Sequence, residues 1–294
     1  INNMISKEPV IINAGINPTA ADYTLDGKKS LMTPEMIFTY SSKGKGQATR
    51  NLHYWARNHH ILDGKAERHI LLNSWEGVRM NVTQTGMNSM MSDFSELGGE
   101  MFVMDDGWFG NKYARTDSQG LGDWEVCRER LPEGIGRLIE YAHGKNIRFG
   151  ICIEPEMVNY KSELYEKHPD WVIKGLVHET KHGRGGTQMV LDLSNPEVQD
   201  FIFDVVDKIM TENPDLDYIK WDANASVMNH GSQYLPKDKQ SHLFIEYHRG
   251  LINVCERIRA KYPKLTMQSC ATGGGRANYG LMPYFDEFWV SDNS

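Results

Sequence analysis

An α/β chain built as a (β/α)₈ TIM barrel, with six βα units visible, is the fold class this sequence predicts. Three observations predict it. From Ile70 onward, short apolar runs alternate with helical patterns, the signature of parallel βαβ units. Each run ends in polar or charged residues: Trp75 with Glu76, Asp105 with Asp106, Glu154, Lys220 with Asp222, Cys270, and Asp292. A barrel carries its site at the carboxyl ends of all its strands, whereas a doubly wound sheet gathers ligands at one crevice. Six such ends favour the barrel. Finally, 294 residues that are 40% hydrophobic are enough for one large core.

Residues 1–66 read differently from the rest. The stretch "EPVIINAGINPTAADYTLDGKKSLMTPEMIFTYSSKGKG" has short extended runs broken by Gly, Pro and Asn. It predicts the end of an N-terminal β-sandwich domain followed by a crossing segment, with the barrel domain at 67–294. The strand runs are 70–75, 101–106, 147–154, 216–222, 265–270 and 286–292, and the helix candidates are 87–97, 134–144, 196–211 and 238–261. The third helix is well signalled, with Ser194 or Asn195 to cap it, Pro196 in its first turn and Glu197 just after. Six strands leave a barrel two short, the chain begins at Ile1 rather than Met, and it stops at Ser294, directly after the sixth run. The expectation is a fragment cut at both ends. Its open sheet edges would favour aggregation, and Asp292 would sit on a frayed terminus.

Composition excludes several classes. A net charge of −7 and the lack of a basic run argue against nucleic-acid binding. No apolar run approaches the roughly 18 residues of a membrane span. Cys127, Cys152, Cys255 and Cys270 are scattered without C-x-x-C spacing, against structural zinc or a disulfide framework.

"YIKWDANAS" (218–226) places Lys220 and Asp222 at the tip of an apolar strand, where an unpaired charge is costly unless it pairs or faces a ligand. Asp222 and Asp292 end the fourth and sixth runs, so strands two apart could aim both carboxylates into one pocket. Paired carboxylates serve glycoside hydrolysis, one attacking and one protonating the leaving oxygen. A strand-end Asp can equally be a helix cap or a surface ion-pair partner. The flanking Trp221 and Trp289 favour a sugar site, since aromatic faces suit sugar rings, though either could be core. In "MDDGWFG", Asp105 and Asp106 repel unless sugar hydroxyls or a divalent metal answer both; the alternative is an Asp-Gly turn. "CATGGGR" (270–276) lets backbone approach a ligand through Gly273 to Gly275, and no G-x-G-x-x-G is present for a dinucleotide. "EPEM" (154–157) reads as a rim-shaping loop, with no catalytic role given to Glu154 or Glu156.

Taken in order, "LLNSWEG", "FVMDDGWFG", "LGDW", "PEMVN", "HPDWV", "LDLSNPEV", "YIKWDAN", "SCATGGGR" and "FWVSDN" resemble the catalytic barrel of the family 36 glycoside hydrolases, the microbial α-galactosidases. "GINP" and "TYSSKGKG" resemble the end of that family's N-terminal β-supersandwich. The resemblance implies retaining hydrolysis of terminal α-galactosyl residues from oligosaccharides such as melibiose and raffinose. Asp222 would be the nucleophile and Asp292 the acid/base, the first charged and the second protonated at the start. Asp105 and Asp106 would hold the 4- and 6-hydroxyls. Lys220 would bind the sugar and keep Asp222 ionised, Asn224 and Trp289 would add substrate contacts, and Cys270 with Gly273 would meet the 2-hydroxyl region. Trp108, Trp171 and Arg184 would line the pocket. No metal or organic cofactor is implied, and the full-length protein could form a homo-oligomer. The chain departs from the family pattern after Asn224, where arginine is common, at Ala271 and Thr272, where Ser-Gly is common, and at Ser294, where threonine is usual. These departures bear on aglycone choice. Rival readings are α-N-acetylgalactosaminidase or galactosyl-transfer activity, a non-catalytic sugar-binding barrel, and a metal-dependent isomerase or lyase using Asp105, Glu154 and Asp222.

Overall fold

The structure, a computed structural model, describes residues 14–17, 22–175, 182–228 and 230–293. The extended runs read in residues 1–13 lie outside these. The strands are β1 (Leu71–Asn73), β2 (Met101–Met104), β3 (Arg148–Ile153), β4 (Met157–Asn159), β5 (Gln188–Val190), β6 (Tyr218–Trp221), β7 (Thr266–Ser269) and β8 (Glu287–Phe288). The helices are α1 (Lys45–His59), α2 (Trp75–Val78), α3 (Gln84–Glu96), α4 (Gly134–Gly144), α5 (Glu163–Lys167), α6 (Gly183–Gly186), α7 (Pro196–Glu212) and α8 (Leu243–Lys261).

Six strands form one parallel sheet in the order β1-β2-β3-β6-β7-β8. These are the six runs read from the sequence, in chain order, as a (β/α) barrel requires. Between β3 and β6 the chain makes an excursion in which β4 pairs antiparallel with β5, an element the sequence reading lacked. The helices cover the outer face. In α3, Thr83 accepts the Gly86 N–H at 3.1 Å, and Met87, Met91 and Phe94 are buried one above another. In α7, Asn195 caps by accepting the Glu197 N–H at 3.0 Å, Pro196 opens the helix, and Val198, Ile202, Val205 and Ile209 face the core.

Strand residues alternate between two environments. Phe102, Met104, Phe149, Ile151 and Ile219 join the large core beneath the helices. Met101, Val103 and Tyr218 form a separate cluster on the opposite, inner face. Gly150 makes room for Tyr218 there, since a Cβ would stand 2.7 Å from the Tyr218 Cβ. The tyrosine hydroxyl then donates to Glu287 of β8 at 2.8 Å. Continued past the strand ends, the same alternation turns Asp105, Glu154, Lys220 and Asp222 inward.

The described residues of 1–66 contain no strand and include α1, where the sequence reading had only extended runs and a crossing segment. The segment is free of proline, and Leu52, Trp55 and Ala56 lie on one side of it; Trp55 stacks on His60 at 4.5 Å. Its His- and aromatic-rich composition hid the helical period. Among the described residues no helix is long and apolar enough to cross a membrane.

Candidate active site

At the carboxyl ends of the strands lies a cavity of about 340 Å³. β1 and the turn after it supply Asn73, Trp75 and Glu76; the end of β2 supplies Asp105, Asp106 and Phe109. β3 supplies Cys152, Ile153 and Glu154, and β6 supplies Lys220, Asp222 and Asn224. Trp289, Ser291 and Asp292 follow β8, and Arg184 reaches in from α6.

Lys220 is the electrostatic hub. Its Nζ donates to Asp105 Oδ2 at 2.8 Å and stands 3.8 Å from Asp222 Oδ2. The sequence reading paired it with Asp222; the closer carboxylate is Asp105, because β2 and β6 flank β3 and their inward residues meet across it. The Lys220 ammonium also lies 5.0 Å from the centre of the Trp289 ring. Burial pulls this lysine toward the neutral amine, but Asp105 and Asp222 outweigh it and hold it above its ordinary value. Cys152 beside it is itself pushed well up by burial and stays a neutral thiol.

Asp105 also accepts from Asn73 Nδ2 at 2.5 Å and from the Asp106 N–H at 2.8 Å. Burial opposes its charge, yet Lys220 and these donors hold its carboxyl below the usual range. Arg115 clamps Asp106 from two nitrogens, at 2.9 Å from Nε and 2.8 Å from Nη2. Arg115 itself is fully buried, and its Nη1 reaches Asn159 Oδ1 at 3.1 Å. Burial and the neighbouring Asp105 nevertheless push the Asp106 carboxyl up against the pull of Arg115. The adjacent carboxylates are therefore separated by giving each its own cation.

Asp222 is buried, and its Oδ1 accepts the Ala223 N–H at 2.9 Å. Asp292 lies on the exposed segment after β8, and among the described residues nothing donates to its carboxyl. Gly273 (φ 75°) packs under this segment, and a Cβ there would stand 2.9 Å from the Asp292 nitrogen. Cys270 is buried under Asp222, with burial and the Asp222 charge pushing its thiol up to about 12. Neither Cys270 nor Gly273 lines the cavity; both support residues that do.

Glu154, given no role by the sequence reading, lines the cavity and is 5% exposed. Its Oε1 accepts from the Asn224 N–H at 2.5 Å and from Gln188 Nε2 at 2.6 Å. Burial, and then the charge of Asp222, push its carboxyl up to about 7. Asn224 Oδ1 in turn accepts the Thr272 N–H at 3.0 Å, joining the ends of β6 and β7. Thr272 sits at positive φ (47°), where its hydroxyl also reaches Asn224 at 3.4 Å. Arg184 donates to Asp117 at 3.0 Å and is held above its ordinary value against the pull of burial, chiefly by Glu154 and Asp106.

The tryptophans divide. Trp289 lines the cavity. Trp108 and Trp171, which the resemblance put in the lining, stand outside it. Gly107 (φ 114°) turns the chain after Asp106, so Trp108 is buried and donates to Cys152 O at 2.8 Å from behind β3. Trp171 stacks on His168 at 3.8 Å beside α7. Trp221, outward in the strand alternation, is core, and its N–H donates to the buried Glu156 at 2.7 Å. Among the described residues no group of three or more His, Cys, Asp or Glu side chains is placed to hold a metal ion.

Comparison with known proteins identifies the family. The family model described as Melibiase matches residues 30–294. A probable α-galactosidase C of Aspergillus terreus is 39% identical over 293 residues, covering 95% of this chain and 38% of the relative. α-Galactosidase AgaA of Geobacillus stearothermophilus is 35% identical, covering 96% of this chain and 38% of the relative. A crystal structure of AgaA, a GH36 α-galactosidase, with 1-deoxygalactonojirimycin superimposes with a TM-score of 0.89 at 34% identity, over 95% of this chain and 38% of that one. The α-galactosidase from Lactobacillus brevis gives 0.90 at 35% identity, over 95% and 37%. The chain thus spans well under half the length of the relatives it matches. Sequence likeness and superposition extend over nearly the whole of this chain, and it belongs to the melibiase family of family 36 glycoside hydrolases.

Proposed function

We propose that this chain carries the catalytic site of a retaining α-galactosidase that releases terminal α-linked galactose from oligosaccharides. The observation that carries the reading is the convergence of Asp222 and Asp292 on one cavity that also holds the Asp105–Lys220 pair, Asp106 and Trp289. Asp222 attacks the anomeric carbon and Asp292 protonates the leaving oxygen; Asp292 then activates water to hydrolyse the galactosyl-enzyme. Lys220 Nζ stands 3.8 Å from Asp222 Oδ2, and the Ala223 N–H donates to Asp222 Oδ1 at 2.9 Å, which fixes the carboxylate in the cavity. Asp105 and Asp106, each already held by its own cation, accept sugar hydroxyls, and Trp289 takes an apolar sugar face. This displacement needs two carboxyl groups and water, and no cofactor.

Two AgaA structures support the assignment: a variant with one aspartate changed to alanine holds stachyose, and one with another aspartate changed to asparagine holds raffinose. Those aspartates are separated by the same sequence interval as Asp222 and Asp292. The same reading takes residues 1–66 as the end of a neighbouring β-sandwich domain and includes a homo-oligomer of the full-length protein. The test is proton NMR of p-nitrophenyl α-D-galactopyranoside hydrolysis, with the α-glucoside and the N-acetylated α-galactoside as controls. Galactose first released as the α-anomer, with little turnover of the controls, is the expected result. First-formed β-anomer, or preference for the acetamido sugar, would refute the reading.

A further inference from the structure

Glu156 stands outside the catalytic cavity, yet it joins the supports of both carboxylates of the proposed mechanism. Its side chain is fully buried. Oε1 accepts from the Trp221 indole N–H and from Arg276 Nη1, each at 2.7 Å, and Oε2 accepts from the Tyr247 hydroxyl at 2.5 Å. Trp221 directly precedes Asp222. Strand alternation sends the indole outward and the carboxylate inward, so a bond on one sets the tilt of the other. Arg276 closes the 270–276 turn after β7. That turn is hydrogen-bonded within itself, from the Ala271 N–H to Gly273 O at 2.9 Å and from the Gly275 N–H to Ala271 O at 3.2 Å. The backbone of 290–292 rests on it: a Cβ on Gly273 would stand 2.9 Å from the Asp292 nitrogen, and one on Gly274 would stand 2.7 Å from Val290 O.

A buried ion pair is a weak source of stability, because desolvation offsets its attraction, but it does hold its partners in one geometry. We propose that Glu156 is a positioning residue that fixes the spacing between Asp222 and Asp292, holding the first through Trp221 and the second through Arg276 and the glycine turn. Two features favour spacing over plain core packing. Trp221 and Arg276 bond the same oxygen, so both supports are referred to a single point. Asn224 ties the same turn to the end of β6 on the cavity side, accepting the Thr272 N–H at 3.0 Å, and Glu156 closes the clamp from the outer side. Retaining hydrolysis sets its carboxyl groups roughly 5–5.5 Å apart, a distance that slack in either support would alter. Tyr247 has a different part. It sits on α8, from which no residue lines the cavity, and it anchors Glu156 to the scaffold. Burial, and then the Glu156 charge, push its hydroxyl well up, which keeps it a donor.

The proposal rests on the reading of Asp222 and Asp292 as nucleophile and acid/base, so rate and geometry are measured separately. Glu156→Gln alone would leave the Arg276 charge unpaired, so both charges are removed together, as Glu156→Gln with Arg276→Met. Trp221→Phe keeps a ring and cuts one link, and Tyr247→Phe cuts only the bond to α8. The paired variant should unfold in urea near the wild-type midpoint. Its kcat/KM for p-nitrophenyl α-galactoside should nevertheless fall about ten- to a hundredfold, the cost of a misplaced reacting group. Raffinose, which needs Asp292 as well as Asp222, should lose more. Trp221→Phe should show the same pattern in milder form, while Tyr247→Phe should lose stability and keep its rate. Inhibition by galactose should be unchanged throughout, since Asp105 and Asp106 are untouched. Crystal structures of the paired variant and of Trp221→Phe should show the separation of the Asp222 and Asp292 carboxyl groups altered by roughly half an ångström or more, the tolerance of a catalytic constellation. An unaltered separation, or rates that simply track the urea midpoints across all the variants, overturns the proposal. Wild-type protein that does not cleave the α-galactoside refutes the assigned reaction instead, and the carboxyl separation still decides this inference.

Discussion

Lys220 Nζ lies 2.8 Å from Asp105 and 3.8 Å from Asp222, so one buried ammonium serves both the carboxylate read as sugar-binding and the one read as nucleophile. Lys220→Met should leave Asp105, which is 3% exposed, as an uncompensated buried charge and cost about 3 kcal/mol of stability. Adding Asp105→Asn should recover most of that loss in urea melts without recovering activity. If the double variant is no more stable than Lys220→Met, the two side chains are not energetically coupled.

Asp222→Ala should lower turnover by several orders of magnitude while the fold is retained, because no covalent intermediate can form. Azide should restore reaction on an activated aryl galactoside and give the β-galactosyl azide, since it attacks from the face the carboxylate leaves. An α-azide would show that Asp222 does not occupy that face.

For Asp292 the diagnostic is the leaving group. Asp292→Ala should cripple kcat/KM for raffinose and largely spare kcat/KM for p-nitrophenyl galactoside, whose departure needs no proton, while the later hydrolysis of the galactosyl-enzyme slows with both. Gly273→Ala should mimic this in milder form, as its Cβ would crowd the Asp292 nitrogen now 2.9 Å from that point. Equal losses of kcat/KM on both substrates would take Asp292 out of the acid role.

Asp106→Asn removes the charge that Arg115 answers and weakens the hydrogen bond proposed to a sugar hydroxyl. Charge-assisted bonds are worth about 1.5–3 kcal/mol, so affinity should fall about ten- to a hundredfold. The fall should narrow the preference for α-galactoside over α-glucoside. An unchanged ratio would reduce the Asp105–Asp106 pair to a turn.

Glu154 supplies a pH dependence. Its folded carboxyl titrates at about 7, raised first by burial and then by Asp222, against an unfolded value near 4.5. The folded state therefore holds this proton more tightly. Its contribution is fully present below about pH 4.5 and is lost as pH rises through about 7. Glu154→Gln should remove that loss, so the variant's stability relative to wild type should improve between pH 4.5 and 7.5, by up to about 3 kcal/mol. Denaturant midpoints at those two pH values test it, and a pH-independent difference would contradict it.

The sequence carried the sheet well, for a physical reason. Strands buried on both faces write themselves as short apolar runs, and the helices announced themselves through Asn195, Pro196 and the spacing of Val198, Ile202 and Val205. The strand-end aspartates were equally plain. What stayed hidden depended on chain reversals. Arg115 reaches Asp106 only because the loop between them folds back, and no local pattern marks it. Trp108 was put in the lining by the family resemblance, yet Gly107 turns it behind the sheet. Glu154 was dismissed as rim because its significance comes from Asn224 and Gln188, both remote in sequence. The period-two alternation through Tyr218, Lys220 and Asp222 was the available clue that Glu154, on the neighbouring strand, also points inward.

The Lys220–Asp105 contact also has a consequence in time. It joins residues 115 apart, and the Arg68 bond to the Asp286 carbonyl joins residues 218 apart. Most helical contacts close within a few residues, but this cavity exists only once the most distant parts of the chain have met. Long loops are costly to close before their contacts repay them, which makes such pairings slow. In refolding from urea, far-UV ellipticity should therefore return ahead of sugar binding, and binding should recover in the phase that seats β6 beside β3.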